Sequence, residues 1–162
     1  MISALPSKTV LKEQLTSILA TDLAVRERAY QAAREGATHE EAKPENDKDT
    51  RALEASYLAR GEAKRLEEMR AALAETQTLV VRELDAAGPV ALGALVVTDE
   101  DGTEAMFWLV PHGGGTRLAD GTVQVVTPKS PLGQALLGAR CDDECEVILA
   151  GKRRTLSIVR IA

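Results

Sequence analysis

The sequence predicts an α+β protein: an N-terminal antiparallel two-helix coiled coil, then a small antiparallel sheet domain with one short helix. Three observations predict it. Residues 8–35 and 50–76 carry apolar side chains at helical spacing and contain no proline. From residue 78 onward the apolar period changes to two, with Gly- and Asp-rich turns between runs of Val, Ile and Leu. One stretch, "SPLGQALLG" at 130–138, interrupts those runs with the signature of a helix start.

In residues 8–35, "KTVLKEQLTSILATDLAVRERAYQAARE", the side chains of Leu11, Leu15, Ile18, Leu19, Leu23, Tyr30 and Ala33 share one stripe. Gly36 reads as the stop. In 50–76 the stripe is Leu53, Tyr57, Leu58, Leu66, Met69 and Leu73, with Ala59 and Ala63 small enough for close approach. Each helix has only a stripe to bury, so pairing the two is the economical solution, with Leu53 and Tyr57 in the shared core. Helices of this length run about 40 Å, which predicts a rod. The expected division is 1–76 for the coiled-coil finger and 77–162 for the sheet domain.

Between the helices lies an acidic loop near 37–49. It carries Glu40, Glu41, Glu45, Asp47 and Asp49 around Pro44, which restricts the loop's freedom. Asp47 or Asp49 also suits the N-cap of the second helix, where a carboxylate accepts from free backbone N–H groups. Glu40 and Glu41 suit solvated charge that keeps a loop soluble.

The strands are expected in "TLVVREL", "VALGALVVTDE", "TEAMFWLV", "TVQVVTP", "ECEVILAG" and "RRTLSIVRIA". Within "SPLGQALLG", Ser130 is the N-cap, Pro131 takes the first helical position and Gly138 ends the turn.

Composition narrows the function classes. Aromatic content is 2%, which supplies neither a base-stacking platform nor an aromatic-lined pocket. Net charge is −5, with 12 basic and 14 acidic side chains up to residue 76 and 8 and 11 beyond it. Neither half is a phosphate-neutralising surface. No apolar run is long enough for a bilayer, and the N-terminus lacks a signal-peptide pattern, so a cytoplasmic protein without membrane contact is expected. Cys141 and Cys145 are too few for a disulfide framework and have no histidine nearby to complete a metal site. His39 and His112 read as loop histidines. "HGGG" at 112–115 reads as a hairpin turn, because no G-x-S-x-G nucleophile elbow accompanies it.

The stretch "SPLGQALLGARCDDECEVILAGKRRTLSIVRIA" resembles the C-terminal domain of the Gre-type (GreA/GreB) bacterial transcription elongation factors, an FKBP-like sheet. Ser130, Pro131, Ala135, Leu136, Leu137, Gly138 and Asp143 stand where that family has its fixed points. "EASYLARGEAKRLEEM" is similar to the start of the family's second coiled-coil helix. The resemblance implies a protein that is not itself an enzyme. It binds RNA polymerase through the C-terminal domain and meets nucleic acid, DNA included, only within the transcription complex. Its coiled coil enters the polymerase secondary channel, where tip acids assist cleavage of backtracked RNA.

The tip residues implied are Glu45, Asp47, Asp49 and Glu54. The docking candidates are Ser130, Pro131, Leu132, Lys152 and Arg153, the last two from the cationic "GKRR" hairpin. No metal or cofactor of its own is implied, only Mg²⁺ at the polymerase active site, a hard cation that one or two delivered carboxylates can help hold. A monomer is expected. Three other readings stand beside this one. The first is a secondary-channel regulator that does not support cleavage. The second is a coiled-coil adaptor, which an exposed apolar patch along the helices would favour. The third is a prolyl isomerase, poorly supplied because adjacent Phe107 and Trp108 face opposite ways in a strand.

Overall fold

Leu11 N donates to Ser7 O at 3.0 Å, so helix formation starts directly after Pro6 and Ser7. The structure, a computed structural model, describes residues 2, 4–40 and 50–162, without the side chains at 37–40, 51 and 52. Helix α1 spans Lys8–Glu40 and α2 spans Thr50–Thr78. Gly36 does not end α1; the helix continues four residues beyond it. A glycine weakens a helix interior by about 1 kcal/mol but stops it only when a left-handed cap follows.

The chain divides into two units, residues 17–75 and residues 1–16 with 76–162. In the first, α1 and α2 lie side by side. Arg26 grips Glu62 across the pair, and Arg70 Nε donates to Glu27 Oε1 at 2.8 Å. Leu23 and Leu66 are buried. The stripe of the second helix is not buried along its length. Leu53, Tyr57 and Leu58 are 56%, 64% and 75% exposed, so the expectation that Leu53 and Tyr57 form core is corrected. Helical period identifies a face; it does not say whether the partner helix offers side chains to cover it.

The second unit holds β1 (Leu95–Glu100), β2 (Thr103–Leu109), β3 (Arg117–Leu118), β4 (Val123–Val126), α3 (Pro131–Leu136), β5 (Glu144–Leu149) and β6 (Lys152–Ile161). They form one six-stranded sheet in the order β3-β4-β2-β1-β6-β5. Every pairing is antiparallel except β2 with β4, which run parallel with Trp108 opposite Val125. "TLVVREL" is not a strand, and "VALGALVVTDE" is extended only from Leu95. β1 already has β2 and β6 as neighbours, so the sheet has no vacant place beside it for another strand.

Strand alternation gives the sheet two apolar faces. Val96, Leu109, Val126, Cys145, Val147, Leu156 and Ile158 pack with Leu132 and Leu136 of α3 in one core. The alternate residues Leu95, Val97, Met106, Trp108, Val123 and Val125 are also buried. A strand buried on both faces reads as a continuous run, as "ALVV" does here. The first turns of α1 belong to this unit. Leu11 and Leu15 are fully buried, and Gln14 Oε1 accepts from Ala119 N at 2.9 Å. Each leucine contributes about 1.5–3 kcal/mol by leaving water. Gly113, from "HGGG", lies against Leu15; a Cβ there would stand 2.6 Å from Leu15 Cδ1, and its φ of 79° is left-handed. That motif is a turn packed under α1.

Candidate functional site

Ser130 organises the site. Its Oγ donates to Thr127 O at 2.8 Å and accepts from Gly133 N at 3.0 Å, the N-cap expected from sequence. Pro131 at the first helical position needs no donor. Together they hold α3 close to the strand end at Thr127. Gly133 makes the approach feasible: a Cβ there would overlap the Thr127 carbonyl.

The result is a cleft of about 210 Å³ between α3 and the sheet. Its apolar lining comes from Phe107, Leu132 and Leu149, with Pro131 at the rim and Ser130, Gln124 and Arg154 supplying polarity. Phe107 and Trp108 do face opposite ways: Trp108 is buried, while Phe107 is half-buried in the cleft. The volume is below the ~300–1,000 Å³ of small-molecule sites and suits one or two side chains of a protein partner. A larger cleft of about 790 Å³, beside the N-terminal residues Ile2, Leu5 and Pro6, shares Phe107, Gln124 and Arg154 with it.

Arg154 is placed by Glu100, to which its Nε donates at 2.8 Å while Nη2 meets the second carboxylate oxygen. That pair holds the Glu100 carboxyl below the usual carboxylate range and raises the guanidinium further above its own. A bidentate pair fixes the fork's orientation as well as its charge.

The structure therefore brings Ser130, Pro131 and Leu132 into one cleft. Lys152 and Arg153 are exposed at the start of β6 and do not line it. Phe107, Gln124 and Leu149 were not among the docking candidates read from sequence, and Arg154 was read only as one cation of the "GKRR" hairpin, because strand partners set their convergence. The alternation of β6 could have flagged Arg154, which shares parity with Leu156 and Ile158. Among the tip residues, Glu45, Asp47 and Asp49 lie outside the described residues. Glu54 is exposed on α2. Of the cysteines, Cys141 Sγ reaches Val159 O at 3.4 Å, and burial first, then Asp143, pushes the Cys145 thiol up. Among the described residues no cluster of His, Cys, Asp and Glu could hold a metal ion, and no helix is long and apolar enough to cross a membrane.

Residues 85–162 match the family described as "Transcription elongation factor, GreA/GreB, C-term". No curated protein matches the chain significantly. Among solved structures, the chain is similar to GreA factor homolog 1 (Gfh1) of Thermus thermophilus, at 17% identity, covering 91% of this chain and 94% of that one with a TM-score of 0.41. It is similar to Thermus aquaticus Gfh1 at 22% identity, covering 90% and 92% with a TM-score of 0.40. The transcription elongation factor GreA/GreB from Nitrosomonas europaea is 19% identical, covering 68% and 93% with a TM-score of 0.38. Residues 85–162 thus form a domain of the GreA/GreB transcription elongation factor C-terminal family.

Proposed function

We propose that this protein binds RNA polymerase through the cleft beside α3 and inserts its helical hairpin into the secondary channel, assisting cleavage of backtracked RNA. The observation that carries the docking half is the convergence of Ser130, Pro131 and Leu132 with Phe107 and Leu149 on one small apolar cleft inside the matched region. A protruding apolar side chain of the polymerase, with an acidic neighbour for Arg154, suits this lining. Lys152 and Arg153 lie on the exposed β5–β6 hairpin and would meet acidic polymerase surface beyond the cleft.

The cleavage half rests on the acids that sequence places between α1 and α2. Glu45, Asp47 and Asp49 lie between Glu40 and Thr50, and Glu54 is in the second turn of α2. Carboxylates delivered from outside would help hold a second Mg²⁺ at the polymerase centre. The protein would act as a cytoplasmic monomer with no enzymatic activity of its own, touching nucleic acid only in the transcription complex. The test mixes the chain with a stalled, backtracked polymerase complex and follows cleavage at the RNA 3′ end. Asp47→Ala, Asp49→Ala and Glu54→Ala run alongside. Cleavage lost in one variant with binding retained supports the proposal. Binding without cleavage in the parent chain supports a non-cleaving regulator of the same channel.

A second reading has its own observation. Leu53, Tyr57 and Leu58 expose a run of large apolar side chains on α2, as an adaptor helix would. Failure to bind polymerase at all would leave that reading.

A further inference from the structure

β5 is the last strand of the sheet, and among the described residues nothing pairs with its outer side. Its pairing with β6 sets which backbone groups are free. Ile158 N donates to Asp143 O at 2.9 Å, and Cys145, Val147 and Leu149 stand opposite Leu156, Arg154 and Lys152. By antiparallel alternation, these odd-numbered residues turn their N–H and C=O groups to β6. Glu144, Glu146 and Ile148 turn theirs to the open edge.

The side chains follow the same alternation. Cys145 and Val147 enter the core, while Glu144, Glu146 and Ile148 are exposed, Ile148 by 61%. Natural edges are commonly blunted by a bulge, a proline or a lysine. Within Glu144–Leu149 it has none of them: its register with β6 is unbroken over six residues, and the irregularity at Asp142 and Asp143, which both bond Ile158, lies before the strand. It has two carboxylates followed at the same spacing by an exposed isoleucine. Glu146 meets Arg153 at 3.7 Å with both side chains mostly exposed, so its charge stays available.

We infer that the β5 edge is a docking site for an extended basic segment of another protein, which adds a seventh strand beside Glu144–Leu149. Main-chain hydrogen bonds to the three free residues would supply affinity. Alternate cationic side chains facing Glu144 and Glu146, then an apolar one facing Ile148, would supply selectivity. Charge decides against a second copy of this chain as the occupant. Two β5 strands laid antiparallel about Glu146 would set the two Glu146 side chains opposite each other with each Glu144 diagonal to them, and like charges across a pair are unfavourable. The edge shares only Leu149 with the α3 cleft, and strand addition there does not depend on polymerase binding.

The test uses the full chain with isotope-labelled amides. The probe is a capped heptapeptide alternating threonine with lysine, lysine and valine, so that one face carries two cations and an apolar group. At millimolar peptide, hydrogen exchange at the Glu144, Glu146 and Ile148 amides is expected to slow by about tenfold, because bonded edge amides open only with the strand. The Cys145 and Val147 amides, already bonded to β6, should change little. Replacing both lysines by glutamate should abolish the effect, and Glu144→Lys with Glu146→Lys should transfer it to the glutamate peptide. Unchanged exchange with the lysine peptide would overturn the inference, leaving an edge that is merely charged against aggregation. Equal slowing by both peptides would overturn the charge selectivity. Slowing that follows protein concentration without peptide would make the occupant a second copy.

Discussion

Arg26 Nε donates to Glu62 Oε1 at 2.5 Å and Arg26 Nη2 to Glu62 Oε2 at 3.2 Å, joining α1 to α2 through a two-pronged pair. The hydrogen bond from Arg26 holds the Glu62 carboxyl below the usual carboxylate range. A carboxyl whose pKa is depressed in the folded state stabilises that state above its unfolded pKa. The contribution is lost as pH falls through the folded value. The hairpin should therefore lose thermal stability on acidification through and below the ordinary glutamate range. Both side chains are about one-third exposed, so the effect is small and falls with salt. Glu62→Gln should flatten that part of the pH profile, measured as helical circular dichroism against temperature at several pH values. An unchanged profile in the variant would assign the acid sensitivity elsewhere.

Gly133 is the tightest packing point of α3. With Thr127 O where the Cβ would go, Gly133→Ala must push the helix away from the strand end or strain it. Overpacking of this kind costs about 1–3 kcal/mol. A lower unfolding midpoint is expected, together with weaker polymerase binding if the cleft docks there. Pro131→Ala provides the comparison: it leaves the Ser130 cap in place and should cost less than about 1 kcal/mol.

How much of this could be read beforehand depends on range. α3 was legible from its local signals, because Ser130 and Pro131 mark its start and Gly138 follows its end at Leu136. The strands β1, β2, β4, β5 and β6 were legible as apolar runs, but their partners were not. The parallel pairing of β2 with β4 brings together residues whose sequence neighbours give no sign of it. "TLVVREL" has the strand period and no strand to join; Lys8 Nζ instead donates to Arg82 O at 2.9 Å. The cleft was half legible for the same reason. Ser130, Pro131 and Leu132 come from one local motif, whereas Phe107, Leu149 and Arg154 arrive from three strands.

Within the cleft, Phe107 is the side chain to remove. It is half-buried and packed against the core, so Phe107→Ala takes away contact area without deleting a central residue. If polymerase docks in this cleft as proposed, Phe107 is an interface anchor of a type that typically contributes more than about 1 kcal/mol, and affinity for core RNA polymerase should fall by about tenfold. Arg153→Ala, outside the cleft, should weaken binding less and mainly at low salt. Measuring both by titration against core polymerase tests where the contact lies. A larger loss for Arg153→Ala would move the docking surface to the hairpin.

Thr98 is 1% exposed in β1, opposite Ile158 of β6, and its Oγ1 has no hydrogen-bond partner among the described residues. A buried hydroxyl left without a partner is destabilising, and valine has the same shape without it. Valine also suits a strand buried on both faces. Thr98→Val should raise stability by about 1 kcal/mol, read as a higher denaturation midpoint with an unchanged slope. A lower midpoint would show that the hydroxyl is satisfied by a bound water.

The corrected helix stripe makes the last prediction. Leu66 is 3% exposed between α1 and α2, while Leu58, two turns earlier on the same helix, is 75% exposed. If period alone set burial, alanine would cost the same at both. Burial sets it instead: Leu66→Ala should cost about 2–5 kcal/mol through lost transfer energy and a cavity. Leu58→Ala and Tyr57→Ala should fall within about 0.5 kcal/mol of the parent, because both side chains already stand in water. Circular dichroism of the full chain in urea measures all three. Equal losses at Leu58 and Leu66 would mean that the far part of α2 is covered in solution, by a second copy or by the chain itself. In that event the unfolding midpoint of the parent chain, followed against protein concentration, separates the two: mass action raises it with concentration only for a second copy.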